Sequence, residues 1–148
     1  MTSPVVTQTA SEKFKPTKQG KVRDLYDLGD SMLIAATDRL SAFDVILPDG
    51  IPNKGKVLTQ ISAFWFEKLS SVVKNHVITT DVKNFPEPFR SAPEIFGGRS
   101  MLVKKTKPIE VECVVRGYLS GSGWNEYKKS TSICGIPLPD GLKESDKL

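Results

Sequence analysis

The chain has 148 residues, room for one ordinary domain or two small lobes and too few for a large multidomain machine. Hydrophobic residues make up 39% and charged residues 26%, which is enough apolar material for a core and excludes a disordered chain. With 21 Lys and Arg against 17 Asp and Glu the net charge is +4, a modest excess that favours anionic ligands without identifying them.

The chain opens on small polar residues, MTSPVVTQTA. There is no basic start leading into an apolar stretch, so a secretory leader is not indicated and residues 1–13 read as a flexible tail. Lys13, Lys15, Lys18, Lys21 and Arg23 then fall within eleven residues that contain no acid. Only Phe14 and Tyr26 lie near them as stacking platforms, too few for a nucleic-acid face, and no nucleic-acid partner is expected. From Gly20 the run Lys21-Val22-Arg23-Asp24-Leu25-Tyr26 alternates apolar and charged side chains, the period of a strand with one buried face. Residues 27–30, with Gly29, predict a tight turn, and 32–37 a more deeply buried strand, so 20–37 reads as a hairpin. The polar bend Asp38-Arg39-Leu40-Ser41-Ala42 leads into an apolar strand over 43–47, ended by Pro48-Asp49-Gly50.

A helix is predicted over 56–73, where Val57, Leu58, Ile61, Phe64, Trp65, Leu69 and Val72 recur every three or four residues. That stripe calls for a sheet or another helix to cover it. Residues 77–79 predict a short strand. Residues 85–98, with three prolines and the adjacent Gly97 and Gly98, read as an irregular loop or linker. Two strands follow, over 100–106 and 109–118, separated by Lys107-Pro108. The second places Glu112, Val114, Arg116 and Tyr118 on one face and Val111, Cys113 and Val115 on the other. The loop Ser120-Gly121-Ser122-Gly123 precedes a short helix over 124–129. Residues 133–148, with Gly135, Pro137, Pro139 and Gly141, unwind without a closing element. Nowhere does an apolar run reach the roughly 20 residues of a membrane span, so no membrane partner is expected. Cys113 and Cys134 show neither C-x-x-C nor His spacing and read as the reduced thiols of a cytoplasmic protein.

Several segments carry chemistry. Residues 50–57 nearly match the phosphate-loop pattern G-x-x-x-x-G-K-[ST], but Val57 removes the hydroxyl that reaches magnesium and Pro52 constrains the loop, so the segment reads as a turn capping a helix. Gly20 at a strand entrance lets backbone N–H groups approach an anion, with Lys21 and Arg23 projecting from one strand face. This is a phosphate clamp or the solvated face of an edge strand. Arg116 followed by Ser120-Gly121-Ser122-Gly123 is a second anion candidate, a guanidinium and unhindered amides ahead of a helix N-terminus. Asp38, Arg39, Ser41 and Asp44 line a polar bend placed either to meet a substrate or to cap a turn. Glu110 and Glu112 share a strand face as a solvated pair or an acid and base. His76, the only histidine, reads as a cation closing a helix. No Ser, Cys and His spacing suggests a nucleophilic triad.

In order along the chain, Gly20-Lys21-Val22-Arg23-Asp24-Leu25-Tyr26, then Ala36-Thr37-Asp38-Arg39-Leu40-Ser41-Ala42-Phe43-Asp44, then Ile51-Pro52-Asn53-Lys54-Gly55, then Glu112-Cys113-Val114-Val115-Arg116-Gly117-Tyr118-Leu119-Ser120-Gly121-Ser122-Gly123-Trp124 resemble the SAICAR synthetase family. The last stretch is the most specific. The resemblance implies an α+β fold: an antiparallel-sheet nucleotide-binding lobe, distantly like that of protein kinases, over 14–106, then a hinge and the start of a second α/β lobe over 107–148. It implies a carbon–nitrogen ligase of purine biosynthesis that uses ATP and Mg2+ to join L-aspartate to carboxyaminoimidazole ribonucleotide, through an acyl phosphate, giving SAICAR, ADP and phosphate.

By position, Gly20, Lys21, Val22 and Arg23 would line the ATP site, Arg116 and Ser122 would hold the ribonucleotide, and Asp38, Arg39 and Ser41 would face the substrate. The link over 107–109 would lie near adenine. Glu110 stands where the family pattern usually has Pro. Family members are about twice this length, and their later Asp-x-Lys-x-Glu-Phe-Gly strand and acidic magnesium pair have no counterpart here. No metal ligand is assigned, and the chain is expected to be inactive alone. A homo-oligomer is compatible with the sequence. The other reading is a non-catalytic nucleotide- or phosphate-binding module.

Overall fold

The computed structural model describes residues 4–111 and 113–148. It divides into two compact units, Met1–Lys107 and Pro108–Leu148.

The first unit is built on a five-stranded antiparallel sheet. Strand β1 (Lys18–Gln19) turns back into β2 (Arg23–Asp27), and β3 (Ser31–Ala36) follows across a turn in which Gly29 takes φ 87°, a conformation open to glycine at no steric cost. The predicted hairpin therefore forms, pairing Leu25 with Ile34 and Tyr26 with Leu33. Next comes a small hairpin, β4 (Ser41–Ala42) and β5 (Val45–Ile46), where a single apolar strand over 43–47 was expected. Its two connecting residues, Phe43 and Asp44, both have positive φ, 48° and 66°, as a two-residue turn matched to strand twist requires. The alternation of apolar residues did not reveal this turn because it lacks the usual Asn-Gly.

Helix α1 (Lys54–Lys68) starts after Asn53, at φ 62°, so residues 50–57 do form a helix-capping turn. Strand β6 (Val77–Thr79), a short 3-10 turn over Val82–Asn84, helix α2 (Pro93–Phe96) and strand β7 (Ser100–Lys104) complete the unit. The sheet order is β1-β2-β3-β7-β6.

Cross-strand register sorts the side chains into two faces. The rows Tyr26–Leu33–Leu102 and Asp24–Ala35–Ser100 lie on one face, and the row Leu25–Ile34–Met101 on the other. The first face carries the core, packing Tyr26, Leu33, Ala35 and Leu102 against Phe14, Phe85, Phe89, Ala92 and Phe96. Ring centroids of Phe14, Tyr26, Phe89 and Phe96 lie 4.9–5.8 Å apart, a range in which each aromatic pair adds about 0.5–1.5 kcal/mol beyond its burial. Four of these core residues, Phe85, Phe89, Ala92 and Phe96, come from 85–98, the segment expected to be a linker. Its prolines break regular structure, but its aromatics at 85, 89 and 96 cover the sheet.

Two further expectations are corrected here. Of the tail expected over 1–13, the described residues from 4 on are held: the Val6 N–H donates to Asp38 Oδ2 at 2.8 Å and Thr9 is buried, its N–H and Oγ1 donating to Asp24 Oδ2 at 3.1 and 2.6 Å. Small polar residues looked untethered because their partners are carboxylates buried elsewhere in the unit. The apolar stripe of α1 is not core either. Gly55 and Thr59 are the buried residues of this helix, while Val57, Ile61, Phe64 and Trp65 each remain about half exposed. The helix meets the sheet through its small residues, with Thr59 Oγ1 donating to the Arg99 carbonyl at 3.0 Å.

In the second unit, helix α3 (Gly121–Ser130) is followed by the hairpin β8 (Ser132–Ile133) and β9 (Ile136–Pro137), which turns at Cys134 and Gly135, φ 51° and 77°. The strand expected over 109–118 is not formed among its described residues beyond a single bridge from Tyr118 to Lys147. Glu112 lies outside the described residues. Alternation marks faces, but a strand also needs a neighbour to accept its hydrogen bonds, and no other pairing is described there. The closing segment is tied down rather than unwound: the Leu119 N–H donates to the Asp146 carbonyl and the Leu148 N–H to the Gly117 carbonyl, at 2.8 and 3.1 Å. Buried Tyr127 donates its hydroxyl to the Pro139 carbonyl at 2.7 Å. Cys113 and Cys134 are free and exposed.

Candidate functional site

The sheet face turned away from the aromatic core opens onto a cavity of about 470 Å³. Leu25, Ile34, Ala36 and Met101 make an apolar floor, and Leu58, Thr59, Ser62 and Phe66 of α1 form one wall. Gly20, Lys21, Val22 and Arg23, predicted together from sequence, all line this one cavity. Its composition, an apolar platform with cations at one end, suits a base and a polyphosphate.

Lys21 does not stand on the strand as its alternation implied. The β1–β2 hairpin closes with the Gly20 N–H donating to the Arg23 carbonyl at 2.7 Å, which puts Lys21 and Val22 at the tip. A side chain on Gly20 would come 3.2 Å from that carbonyl, so glycine keeps the turn tight. Lys21 Nζ pairs with Asp44 Oδ1 at 2.5 Å, both groups more than half exposed. Such a pair contributes under about 1 kcal/mol, little obstacle to a phosphate that competes for the lysine.

Asp38 and Arg39 were expected to meet a substrate. The structure turns both onto the protein. Asp38 is fully buried and forks onto Arg99, Nη1 to Oδ1 at 2.9 Å and Nη2 to Oδ2 at 3.2 Å, while its Oδ1 also accepts the Gly55 N–H at 2.9 Å. Burial pushes the Asp38 carboxyl up, but the hydrogen bonds from Arg99, Val6 and Gly55 and the charge of Arg99 outweigh it and hold the group below its ordinary value. Arg39 pairs with buried Asp24 at 2.8 Å. Ser41 sits on β4 opposite Ile46, partly exposed. The Asp-Arg pattern that looked like a substrate-facing bend is two buried ion pairs side by side, and sequence alone does not say which way such residues turn.

The cavity floor and its α1 wall were missed as site residues. The available signal was the run over 32–37, whose odd and even positions are both apolar. One set feeds the core, and the other, Ile34 and Ala36, faces the cavity. His76, read as a helix-end cation, also lines this cavity and lies against the Phe66 ring, centroids 5.4 Å apart.

In the second unit Arg116 and Ser122 are brought together, Nη2 donating to Oγ at 3.4 Å. Ser122 lies in the first turn of α3, where N–H groups have no intrahelical acceptor. Gly121 takes φ 58°, favouring glycine at the entry. An exposed guanidinium, a hydroxyl and free amides at the N-terminus of a ten-residue helix form an anion-binding arrangement. Among the described residues no group of three or more His, Cys, Asp or Glu is placed to hold a metal ion, and no helix is long and apolar enough to cross a membrane.

A family model described as SAICAR synthetase matches residues 16–148. The chain belongs to the SAICAR synthetase family. It is 63% identical over 144 residues to the phosphoribosylaminoimidazole-succinocarboxamide synthase of Desulfosudis oleivorans, covering 97% of this chain and 49% of that protein. To the enzyme of the same name from Citrifermentans bemidjiense it is 57% identical over 148 residues, 100% of this chain and 50% of the relative. A solved SAICAR synthase superposes with a TM-score of 0.87 at 40% identity, covering 96% of this chain and 51% of that one. The Saccharomyces cerevisiae enzyme, in complex with SAICAR, gives 0.83 at 40% identity, covering 96% and 50%. The α+β antiparallel fold is therefore that of the SAICAR synthetase family, and the chain spans about half the length of the curated relatives it matches.

Proposed function

We propose that this chain supplies the nucleotide-binding lobe and the ribonucleotide phosphate contacts of an ATP-dependent ligase of purine biosynthesis that joins L-aspartate to carboxyaminoimidazole ribonucleotide. The single observation that carries the reading is the convergence of Gly20, Lys21, Val22 and Arg23 on one cavity with an apolar floor. The base lies on Leu25, Ile34, Ala36 and Met101, and the polyphosphate reaches Lys21 and Arg23. Arg116, Ser122 and the first turn of α3 take the phosphate of the ribonucleotide. The lobe over 14–106 and the segment over 107–148 thus divide the two substrates between them.

A carboxylate resists attack by an amine, and ATP overcomes this by converting it to an acyl phosphate. Fixed cations around the transferred group stabilise the charge that develops on it. The described residues do not supply a magnesium site, so the roles assigned here are those of the protein's own cations, and the chain alone is expected to form no succinocarboxamide product. The free, exposed Cys113 and Cys134 support a cytoplasmic location.

Calorimetric titration of the 148-residue chain with ATP and, separately, with carboxyaminoimidazole ribonucleotide tests the reading. Both are expected to bind. Arg116→Ala is expected to weaken the ribonucleotide about ten- to hundredfold, the loss of a charge-assisted contact, and to leave ATP affinity unchanged. Binding of neither ligand, with tight salt-dependent binding of RNA instead, overturns the reading. ATP binding without any ribonucleotide binding favours a nucleotide-binding module.

A further inference from the structure

One side chain holds the tip of the β1–β2 hairpin from behind. Arg39 donates from Nη2 to the Gly20 carbonyl at 2.8 Å and from Nε to the Lys21 carbonyl at 3.1 Å. It also donates from Nη1 to the Thr7 carbonyl at 2.7 Å and from Nη2 to Asp24 Oδ1 at 2.8 Å. Four of its five N–H groups are thus engaged by the protein, and its side chain is 12% exposed. Asp24, fully buried, is itself fixed by the Thr9 N–H and hydroxyl, and Thr9 Oγ1 lies 2.7 Å from the Tyr26 hydroxyl.

This geometry has a consequence at the other side of the backbone. A peptide unit is planar and trans, so its C=O and N–H point in opposite directions. Drawing the Gly20 and Lys21 carbonyls onto Arg39 turns away from it the N–H groups that share those planes, those of Lys21 and Val22. Among the described residues neither N–H has a protein acceptor. Two successive free N–H groups make a concave seat for an anion. Gly20 and Lys21 stand between two recesses, one bordered by Arg39 and Thr7 and the other the 470 Å³ cavity, which Val22 and Arg23 also line and Arg39 does not.

We propose that Arg39 is the positioning residue of a phosphate seat: by fixing the Gly20 and Lys21 carbonyls it aims the Lys21 and Val22 N–H groups at a polyphosphate oxyanion. The proposal rests on the ATP reading only for the identity of that polyphosphate. It explains why an arginine in a substrate-like bend gives its donors to the protein. Its contribution is made through the backbone it orients, and Asp24 and Thr9 hold it in register.

The test is a series of 1H–15N spectra of the 148-residue chain titrated with tripolyphosphate and, separately, with adenosine. In the wild-type chain tripolyphosphate is expected to shift the Lys21 and Val22 amide signals. Arg39→Lys keeps the positive charge but has no fork to span the two carbonyls. It is expected to bind tripolyphosphate at least about tenfold more weakly, with the adenosine shifts at Ile34 and Met101 unchanged. Arg39→Gln is expected to lose at least as much, and where its spectrum shows an unfolded chain the Lys variant decides.

Undisturbed Lys21 and Val22 amides in the wild type overturn the proposal, as does wild-type affinity in folded Arg39→Lys or an equal loss for adenosine and tripolyphosphate. Unfolding of both variants overturns it in favour of a purely structural role. Tripolyphosphate binding at these amides without any adenosine binding overturns the ATP reading and supports the seat.

Discussion

Asp38→Ala is expected to destabilise the first unit by about 3–5 kcal/mol, the cost of leaving a buried guanidinium without its counter-charge. Asp38 and Arg99 have side chains at 0% and 1% exposure, so water cannot replace the lost partner. The carboxylate also accepts the N–H groups of Val6 and Gly55, and its removal frees the N-terminal segment and the first turn of α1 together. Against a typical domain stability of about 5–15 kcal/mol the loss is a large fraction. Urea unfolding followed by circular dichroism measures it, and a loss below about 1 kcal/mol would show that the pair does not hold these elements. Asp38→Asn separates charge from shape and is expected to cost nearly as much. Removing both partners, Asp38→Ala with Arg99→Met, is expected to cost less than the sum of the single changes, because no unpaired charge remains.

The same carboxyl gives the acid limit of stability. Its folded pKa lies below the ordinary value, so the unfolded chain takes up the proton first as pH falls. The stabilisation is complete above the ordinary carboxylate range and is lost as pH drops from about 5 through the folded value. Asp27 and Glu87 shift the same way, Asp27 through the Lys105 ammonium and Glu87 chiefly through the Ser91 hydroxyl and Arg90, but both are exposed and contribute little. Asp38→Asn is therefore expected to flatten most of the fall in stability below pH 5.

The hairpin over 20–37 was readable because a period-two pattern and a glycine turn both point to it, and the grouping of Gly20, Lys21, Val22 and Arg23 was readable as a local cluster, which the fold sets on one cavity. The direction of Asp38 and Arg39 was not. Their charged partners, Arg99 for Asp38 and Asp24 for Arg39, lie 61 and 15 residues away, and nothing local distinguishes a buried ion pair from a solvated one. The apolar stripe of α1 predicted a helix correctly but not its environment, since periodicity reports that a face is apolar and not what lies against it. Residues 85–98 failed in the opposite sense: prolines and glycines hid three aromatic residues that build the core.

Gly55→Ala is expected to cost at least about 2 kcal/mol, although alanine is the better helix former. A methyl group at this position would come 2.2 Å from the Ala36 carbonyl oxygen, 2.8 Å from its carbon and 2.8 Å from Arg99 Nη1. Two of these atoms are backbone of β3 and the third belongs to the buried ion pair, so none can swing aside. Overpacking of this kind costs about 1–3 kcal/mol or more, against a helix gain of about 0.5–1 kcal/mol. Relief requires α1 to lift from the sheet, and that breaks the bond from the Gly55 N–H to Asp38. Because Leu58, Thr59 and Ser62 of α1 also wall the 470 Å³ cavity proposed for ATP, the shift should be read in binding as well as in unfolding. ATP affinity is expected to fall in the folded fraction of Gly55→Ala, whereas ribonucleotide affinity, assigned to Arg116 and Ser122, stays at the wild-type value. An equal fall in both would show that the variant acts only by unfolding the chain.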